Sequence, residues 1–489
     1  MPIIDAFARI CRDTPGRVLV HHPSAGRTFT ADDLQALALG LAAELDRHGV
    51  TAGRLLLSTT GNHPALLAAW LACRGCGAAI MAIEPSTTEL ERLALADRFG
   101  AAAILALDEA PLTGFAVRVP GPCGTTLSVR VTPVDPEPNY DGAAVLKLTS
   151  GSTGASRVTF TTEAALLLDS QHIIEAMDVG VDDVQLAVIP LSHAYGVGNL
   201  LMPLLLQGTP CVLRESFVPP QLVADARHYG ARIFPGVPFM FEHFVEHPPE
   251  EGWPRSLGRL IAAGAPLSSD TVQRGLTQFG VKIRAFYGTS ETGGITFDAT
   301  DDEIERGFVG YPLPGVDVTL RADKGVAAGM GRVFVRSEAV ITRYVDAERD
   351  PSLVDGGFLS GDLGQFDRRG GLRLSGRVSP FLNVAGRKVS PNEVELVLRQ
   401  LPAVADARVL GLPDARRGQR LIACLVARAV APSTVEIRRF CSERLAPYKI
   451  PRAFVFLDAI PLTDRGKTDH RRLTELAAAA LEAMRDGML

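Results

Sequence analysis

The chain has 489 residues, a formal net charge of −5 and a hydrophobic fraction of 46%. A chain of this length exceeds the usual limit of one hydrophobic core, so we expect two or more domains. The charge gives no electrostatic reason to expect nucleic acid or an anionic membrane surface as a partner. No stretch reaches the roughly 18 apolar residues needed to span a bilayer, and residues 1–5 lack the pattern of a signal peptide.

Seven cysteines are scattered along the chain. This spacing indicates reduced thiols rather than a disulfide framework, and it predicts a cytoplasmic location. Cys73 and Cys76 form a Cys-x-x-Cys pair, but no second pair or histidine cluster completes a zinc site. We therefore favour ordinary packing at the end of an apolar helix over redox or metal chemistry.

The first two thirds of the chain predict an α/β architecture. Helix-like Ala/Leu runs alternate with short apolar runs of strand length, and this alternation favours largely parallel sheets. The predicted helices are residues 31–48, 64–73, 88–98 and 163–177, and the predicted strands are residues 54–58, 78–83, 102–107, 185–189, 210–213 and 259–262.

The pattern changes from about residue 305. Gly and Pro punctuation, with short Val-rich segments at 316–320 and 332–336, predicts a small antiparallel unit. A smaller α+β segment follows, and its last predicted helix covers residues 473–484. We expect residues 1–378 to form a large N-terminal domain of layered α/β sheets with this antiparallel unit, and residues 379–489 to form a small α+β domain.

The segment with the most chemical information follows the apolar strand 143–146. Residues 148–157 read LTSGSTGASR. Small residues let backbone amides approach a polyphosphate closely, and the hydroxyls can donate to phosphate oxygens. The segment lacks the GxxxxGK[ST] pattern of a Walker loop. Taken alone, a loop of this composition is more often an ordinary turn.

Later segments add residues that suit a nucleotide. In residues 285–294, Tyr287 offers a stacking face for a purine, and Glu291 could hold Mg²⁺ on a triphosphate. Asp362 lies between glycines, where it could accept both ribose hydroxyls. The chain has only six lysines against 44 arginines, so Lys467, near the end, stands where a compact ammonium is favoured over a planar guanidinium.

These segments, in this order, resemble the core motifs of the adenylate-forming superfamily, which includes acyl-CoA synthetases, aryl acid ligases, non-ribosomal peptide adenylation domains and luciferases. The resemblance extends from Gly53 to Leu473. Each segment alone is a weak signal, but five of them in the right order argue against a chance match.

The resemblance implies a nucleotide site built from several loops. Tyr287 would stack on adenine within the segment that continues through Gly288, Thr289 and Ser290, and Asp362 and Arg377 would hold the ribose. The phosphate-binding loop would consist of Thr149, Ser150, Gly151, Ser152, Thr153 and Gly154. The backbone contacts to the adenine edge would come from Gly264, Ala265 and Pro266.

The resemblance also implies the catalytic groups. Glu291 and Thr153 would bind Mg²⁺, and Lys467, on a mobile C-terminal domain, would bridge the carboxylate and the α-phosphate. Gly386 would line the tunnel for the thiol. Joining a carboxylate to ATP brings like charges together, so cationic groups are needed rather than a protein nucleophile.

Two further positions depend on the resemblance. His193 falls where the family places a residue beside the acyl pocket, often an aromatic or histidine gate, although an ordinary packed histidine is the alternative. Ser379 stands at the family's hinge position, which is typically Asp or Lys, and Pro380 follows it. This departure puts the rotation of the small domain in question.

The implied function is ATP-dependent activation of a carboxylic acid to acyl-AMP, with release of pyrophosphate, followed by acyl transfer to coenzyme A. One alternative is a free-standing ligase that loads the phosphopantetheine of a separate acyl carrier protein. A nucleotide-binding protein that has lost catalysis is a third. Residues 189–200 contain no Asp or Glu to pair with a buried ammonium, so a small aliphatic or aromatic acid is favoured over an amino acid.

Overall fold

The computed structural model describes residues 1–107, 112–149, 157–301, 304–322, 329–347, 350–377, 382–414, 418–428, 430–461 and 468–485. The chain divides into two compact units, which we call the large unit and the small unit. The large unit comprises Met1–Pro85, Leu95–Thr149 and Val158–Val378. The small unit comprises Ser86–Ala94, Ser150–Arg157 and Ser379–Leu489.

The helices range from single turns to the long α2, and a π-helical turn at Val197–Leu201 separates two of them. In chain order they are α1 (Ile3–Asp13), α2 (Ala31–Arg47), α3 (Pro64–Cys76), α4 (Glu89–Arg98), α5 (Glu163–Ala176), α6 (Ala194–Gly196), α7 (Met202–Gln207), α8 (Pro219–His228), α9 (Pro238–Glu246), α10 (Ser269–Phe279), α11 (Pro391–Arg399), α12 (Thr434–Ser442) and α13 (His470–Arg485).

The strands are short in the parallel region and longer towards the end of the chain. In chain order they are β1 (Val18–His22), β2 (Arg27–Thr30), β3 (Leu55–Ser58), β4 (Ala79–Ala82), β5 (Ala103–Ala106), β6 (Phe115–Pro120), β7 (Thr126–Arg130), β8 (Ala143–Thr149), β9 (Arg157–Thr162), β10 (Gln185–Ala187), β11 (Cys211–Leu213), β12 (Ile233–Gly236), β13 (Arg259–Ala262), β14 (Ile283–Thr289), β15 (Gly293–Phe297), β16 (Phe308–Pro312), β17 (Asp317–Arg321), β18 (Gly331–Arg336), β19 (Arg343–Tyr344), β20 (Leu353–Val354), β21 (Gly357–Phe366), β22 (Leu372–Arg377), β23 (Leu382–Val384), β24 (Arg387–Val389), β25 (Val404–Asp414), β26 (Gly418–Ala427) and β27 (Ala453–Phe456).

Two sheets form the large unit. One has the order β19-β9-β8-β4-β3-β5-β7-β6, in which β3 pairs in parallel with both β4 and β5. The other has the order β17-β18-β21-β22-β16-β15-β14-β13-β12-β10-β11-β1-β2, and β20 pairs with β21. Its strands from β10 to β14 pair in parallel, and β14 then pairs antiparallel with β15.

Local sequence explains why the helices begin where they do. Thr30 and Asp33 form a reciprocal capping box at the start of α2, which satisfies two backbone N–H groups that have no partner within the helix. Helix α3 begins at Pro64, a position that suits proline because its missing N–H is not needed there. Most of α3 is buried, including Trp70, so this helix lies inside the core rather than on its surface.

The small unit is an α+β sheet with its own core. Its strands have the order β24-β23-β26-β25, and β27 pairs in parallel with β26. Helices α11 and α12 contribute Val394, Leu398 and Ile437 to the buried cluster on one side. Leu473 and Ala477 of α13 belong to a second cluster. Amphipathic helices that pack on a mixed sheet give the expected layered arrangement.

The predicted fold class is confirmed, because the structure is a mixed α/β protein with a large N-terminal and a small C-terminal part. The predicted helices correspond to α2, α3, α4 and α5, and the six predicted strands correspond to β3, β4, β5, β10, β11 and β13. The Val-rich segments are β17 and β18, which pair antiparallel. They continue the large sheet rather than standing apart from it.

Two expectations on composition can be compared with the structure. No helix in the described part of the chain is both long enough and apolar enough to cross a membrane. All seven cysteines are free thiols. Burial raises the pKa of Cys73, and the Cys76 thiol donates to the carbonyl of Val50. These contacts support a packing role for the pair.

Candidate active site

The predicted adenine and ribose residues meet in the large unit. Tyr287 lies on β14 and Asp362 on β21, and both side chains are buried. The Tyr287 hydroxyl donates a hydrogen bond of 2.8 Å to Asp362 Oδ2. The bond joins two motifs that are 75 residues apart. A charge-assisted bond of this kind fixes the direction of both side chains.

The strand register brings a third predicted residue to the same place. Asp362 of β21 is the cross-strand partner of Arg377 at the end of β22. Asp362 and Arg377 are therefore neighbours in the backbone, as residues that hold one ribose would have to be.

The turn between β14 and β15 carries the predicted metal ligand. Gly288 is part of a close approach between these strands, because a Cβ there would lie 2.4 Å from the carbonyl oxygen of Gly293. Thr289 is held within the turn by a 3.1 Å contact between its hydroxyl and that of Thr292. Ser290 and Glu291 occupy the turn itself.

Glu291 is buried and held at two points. Its Oε1 accepts a hydrogen bond of 3.0 Å from the Tyr344 hydroxyl, and its backbone carbonyl accepts one of 2.9 Å from the Ile341 N–H group. Tyr344 itself is almost fully buried and belongs to β19. These bonds fix the carboxylate before any ligand arrives, which is the kind of preorganisation that binding sites need.

The phosphate loop is described only at its first residue. Thr149 ends β8, and its buried Oγ1 has no hydrogen-bond partner among the described residues. The remaining predicted loop residues, Ser150, Gly151, Ser152, Thr153 and Gly154, lie outside the described residues. A buried hydroxyl without a partner costs free energy unless a ligand satisfies it, so its position suits a phosphate-binding loop.

The predicted adenine-edge residues follow a parallel strand. Gly264, Ala265 and Pro266 lie between β13 and α10, and Gly264 has a φ of +83°. Ligands in open α/β sheets bind outside the carboxyl ends of the strands. The position of this turn next to β14 in the sheet, where Tyr287 lies, suits a contact with the same base.

His193 has a specific partner. Its Nε2 lies 2.8 Å from Oε1 of the buried Glu84, while about half of its own side chain is exposed. Two residues later, the Tyr195 hydroxyl donates to the carbonyl of Ile261, and its ring stacks on Phe286. His193 therefore differs from a histidine packed in a core, because it is anchored on one side and open on the other.

The π-helical turn that follows this segment holds an unusual amide. Asn199 is 3% exposed, and neither its Nδ2 nor its Oδ1 has a hydrogen-bond partner within the described ranges. By contrast, the buried amide of Asn62 donates to three carbonyls and accepts from the Leu191 N–H group. π-Helical turns often occur at functional sites.

Sequence reasoning missed several residues of this region. Glu84 and Tyr344 follow no motif, because each is brought to this region by a contact with a distant segment. Lys147 did carry a signal: it is one of six lysines and lies in the apolar strand that leads to the phosphate loop. A lysine in a buried strand is uncommon unless it is paired.

Three predicted residues belong to the C-terminal segment of the small unit, Ser379–Leu489. Gly386 lies in the tight turn between β23 and β24 with a φ of +81°, a left-handed conformation that glycine adopts readily. Ser379 and Lys467 lie outside the described residues. Their predicted roles as hinge and catalytic lysine stay predictions.

The residues present fit a magnesium ion that is bound together with phosphates. In the described part of the chain, no group of three or more His, Cys, Asp or Glu side chains could hold a metal. Mg²⁺ in nucleotide sites is usually held by one or two carboxylates and by the substrate's phosphates. A single preoriented carboxylate such as that of Glu291 matches that requirement.

Comparisons with known proteins show the family of the chain. The AMP-binding enzyme family model matches residues 7–345, and the model of the AMP-binding enzyme C-terminal domain matches residues 393–467. The chain is 29% identical to a feruloyl-CoA synthase from an Amycolatopsis species over 479 residues, which cover 94% of this chain and 96% of that protein.

Two solved structures illustrate the likeness of fold. An o-succinylbenzoate CoA synthetase from Bacillus subtilis, bound to a product analogue, has a TM-score of 0.84 and 24% identity, covering 97% of this chain and 98% of the other. An amide bond synthetase from Marinactinospora thermotolerans has a TM-score of 0.81 and 26% identity, covering 97% and 99%. The predicted resemblance is confirmed, and the chain belongs to the family of AMP-binding enzymes.

Proposed function

We propose that this protein is an acid–thiol ligase that forms AMP. It activates a small aliphatic or aromatic carboxylic acid with ATP and then transfers the acyl group to coenzyme A. The observation that best supports this proposal is the bonded pair of Tyr287 and Asp362, with Arg377 opposite Asp362 in the strand register. Tyr287, Asp362 and Arg377, whose nucleotide-binding roles are implied by the family resemblance, are therefore neighbours in this chain.

In the first half-reaction the acid's carboxylate attacks the α-phosphorus of ATP, and pyrophosphate leaves. Backbone N–H groups and hydroxyls of the loop that begins at Thr149 hold the phosphates, and Tyr287 and Asp362 orient the nucleoside. Glu291 and Thr153 would hold Mg²⁺, which supplies charge neutralisation on the phosphates. The Lys467 ammonium offsets the charge that builds between carboxylate and phosphate.

In the second half-reaction a thiol attacks the acyl-AMP carbonyl and AMP leaves. Coenzyme A is the favoured thiol. A relative that is similar to this chain over nearly its full length is named a feruloyl-CoA synthase, and that name describes the formation of a CoA ester. Gly386 would line the approach of the thiol. His193, anchored by Glu84, would stand at the acyl pocket. A reducing compartment such as the cytoplasm agrees with seven free cysteines.

A panel of acids tests the first half-reaction. Pyrophosphate exchange into ATP should depend on a particular aliphatic or aromatic acid, and amino acids should give little exchange. Loss of exchange with every acid would favour the third hypothesis, a nucleotide-binding protein without catalysis.

A comparison of acceptors tests the second half-reaction. With the best acid from the panel, full turnover is measured with coenzyme A, with a phosphopantetheinylated carrier protein and with simple amines. We expect coenzyme A to give the highest kcat/KM. A preference for the carrier protein would select the alternative of a carrier-loading ligase, and a preference for amines would contradict both.

Lys467 can be tested separately from the rest of the site. Lys467→Ala should reduce acyl-AMP formation by orders of magnitude, because its charge is needed only while the carboxylate approaches the phosphate. Transfer from supplied acyl-AMP to the thiol should stay close to that of the parent. Equal losses in both half-reactions would show that Lys467 has a structural role instead.

A further inference from the structure

A buried amide without hydrogen bonds lies close to His193 in the chain, in residues 190–201, which we call the acyl segment. Asn199 is 3% exposed, and neither its Nδ2 nor its Oδ1 has a hydrogen-bond partner in the described part of the chain. An amide that loses its water without gaining a partner is costly, and most buried polar groups in folded proteins are bonded. A ligand that bonds to Asn199 would recover that cost.

The acyl segment contains a second polar atom of this kind. Ser192 Oγ, directly before His193, is buried and has no hydrogen-bond partner among the described residues. The backbone of the segment is nevertheless bonded: the Leu191 N–H group donates to Asn62, and the Val197 N–H group donates to the His193 carbonyl. The unsatisfied side chains therefore lie on a fixed backbone, as the polar groups of a preformed binding site do.

A neighbouring side chain shows which face of the segment carries Asn199. Residues four apart lie on the same face of a helix, so Asn199 lies one turn beyond Tyr195. The Tyr195 hydroxyl donates a hydrogen bond of 2.9 Å to the carbonyl of Ile261 on β13, and its ring stacks on that of Phe286 on β14, with centroids 5.8 Å apart. Asn199 therefore lies on the face of the segment that is directed at β13 and β14.

The other faces of the π-helical turn make different contacts. Val197, Leu200 and Leu201 belong to the apolar core that also contains residues of α1 and α3. A Cβ on Gly198 would lie 2.9 Å from the Ile173 side chain of α5. The unsatisfied amide is on neither of these faces.

The direction of the segment sets the depth of the amide. β10 and β11 pair in parallel, so the connection between them, which contains the acyl segment, runs back along the sheet from the carboxyl ends of the strands. Ligands of such sheets bind at those ends, where the segment begins with His193. Asn199 lies six residues further along, on the order of 8 Å at the rise of a helical residue. Its position suits the far end of an acid rather than the carboxylate.

We propose that Asn199 recognises an uncharged hydrogen-bonding group, such as a hydroxyl or a carbonyl, at the end of the acid remote from its carboxylate. An amide both donates and accepts, so either group would satisfy it. A hydrocarbon end would leave the amide unpaired, and sites built to bond a substrate hydroxyl reject analogues that lack it. This inference rests on the proposed function and narrows its substrate class: acids with a polar far end are activated in preference to acids of the same shape with an apolar one.

A second buried amide serves as the matched control. Gln185, the first residue of β10, is 1% exposed, and its Nε2 has no hydrogen-bond partner within the described ranges. It lies at the amino end of a parallel strand, whereas ligands bind outside the carboxyl ends. Gln185→Met therefore removes an amide of similar burial that lies outside the acyl segment.

The experiment measures kcat/KM for acid-dependent pyrophosphate exchange with pairs of acids that differ only in a terminal hydroxyl. The pairs are benzoic and 4-hydroxybenzoic acid, cinnamic and 4-hydroxycinnamic acid, and hexanoic and 6-hydroxyhexanoic acid. The variants of the full chain are Asn199→Leu, Asn199→Ser and Gln185→Met, and the melting temperature of each is recorded. Asn199→Ser is smaller and keeps a hydroxyl, so it covers the case in which Asn199→Leu does not fold.

In the best pair, we expect the parent to favour the hydroxylated acid by about tenfold or more. Asn199→Leu should abolish or reverse this preference, Asn199→Ser should keep part of it, and Gln185→Met should leave it as in the parent. If the parent favours the hydroxylated acid in none of the pairs, or if Asn199→Leu keeps the preference of the parent, the recognition role is overturned while the proposed function stands. If no acid gives exchange, the proposed function fails first and this inference fails with it.

Discussion

At the scale of single residues, the predicted metal ligand Glu291 is held in a fixed position by its neighbours. Its carboxylate is buried and accepts a bond from the Tyr344 hydroxyl, so little reorganisation is needed when a cation binds. The sequence around Glu291 does not predict its contact with Tyr344, which is 53 residues away. The sequence predicted the ligand but not the group that orients it, because orientation depends on a contact between β19 and a distant turn.

Glu291→Gln tests the charge separately from the shape. Glutamine keeps an acceptor oxygen for Tyr344, so the fold should be retained, but it removes the charge directed at the metal. The Mg²⁺ concentration needed for half-maximal pyrophosphate exchange should rise tenfold or more. An unchanged Mg²⁺ dependence, measured at equal thermal stability, would place Glu291 outside the metal site.

Replacing the two buried asparagines by leucine should change the stability of the fold by different amounts. Asn62 satisfies its whole amide with backbone partners, so Asn62→Leu should destabilise the fold by about 3 kcal/mol or more. Asn199 has no partner for either amide atom among the described residues. Replacing an unsatisfied polar group by a similarly shaped apolar one is close to neutral, so Asn199→Leu should change stability by less than about 1 kcal/mol.

Chemical denaturation of the two variants checks this contrast. The comparison uses the change in the free energy of unfolding, with the parent's m-value as a reference. If Asn199→Leu costs as much as Asn62→Leu, the Asn199 amide has a hydrogen-bond partner in solution.

At the scale of elements, composition predicted the parallel strands well. Every residue of β3 and β4 is buried, and all but Ser58 are apolar, as is typical of a parallel sheet with both faces covered by helices. The π-helical turn at Val197–Leu201 could not be predicted, since it depends on Gly198 packing against α5. The joining of the antiparallel strands to the parallel sheet at β14 and β15 was missed for the same reason: strand order is set by long-range pairing.

The start of α3 gives a prediction on pH. His63 Nδ1 accepts the Ala65 N–H group, which caps the helix, and its ring packs edge-on against His22. Burial lowers the pKa of His63 to about 4, the charge of His22 adds to this shift, and Glu215 opposes it. The folded state therefore resists protonation, while an unfolded histidine takes up a proton below about pH 6.5.

The direction in which stability changes with pH follows from proton linkage. Because the unfolded state binds the extra proton, His63 makes stability fall as the pH drops from about 6.5 towards 4. Asparagine can cap the same helix without titrating. Between pH 7 and 5, protonation of His63 in the unfolded state should cost the parent on the order of 2 kcal/mol of stability. The His63→Asn variant should not show this loss. Equal pH profiles of the melting temperature in parent and variant would refute this assignment.

At the scale of the whole molecule, the sequence places a proline directly after Ser379, the predicted hinge residue. A proline disfavours the α region for the residue before it and restricts its own φ to near −65°. Both residues lie outside the described residues. If one step of the reaction needs a helical Ser379, that step should be slow in the parent.

Pro380→Ala therefore should change the ratio of the two half-reaction rates severalfold without altering acid binding. Single-turnover rates of acyl-AMP formation and consumption give this ratio, and equilibrium binding of the acid serves as the control. Rates within error of the parent for both steps would show that the proline is a neutral local substitution.

The pairing of β1 with β11 affects how the protein is made. Val20 lies beside Cys211 in this parallel pair. The strand β11 therefore leaves the ribosome roughly 190 residues after β1, which takes about 10–40 s at ordinary rates of synthesis. During that interval only β2 pairs with β1, and the core that covers the apolar residues of β1 and α1 is incomplete. The nascent chain can therefore aggregate during this interval. A ribosome-associated chaperone that binds the first thirty or so residues should increase the yield of active enzyme.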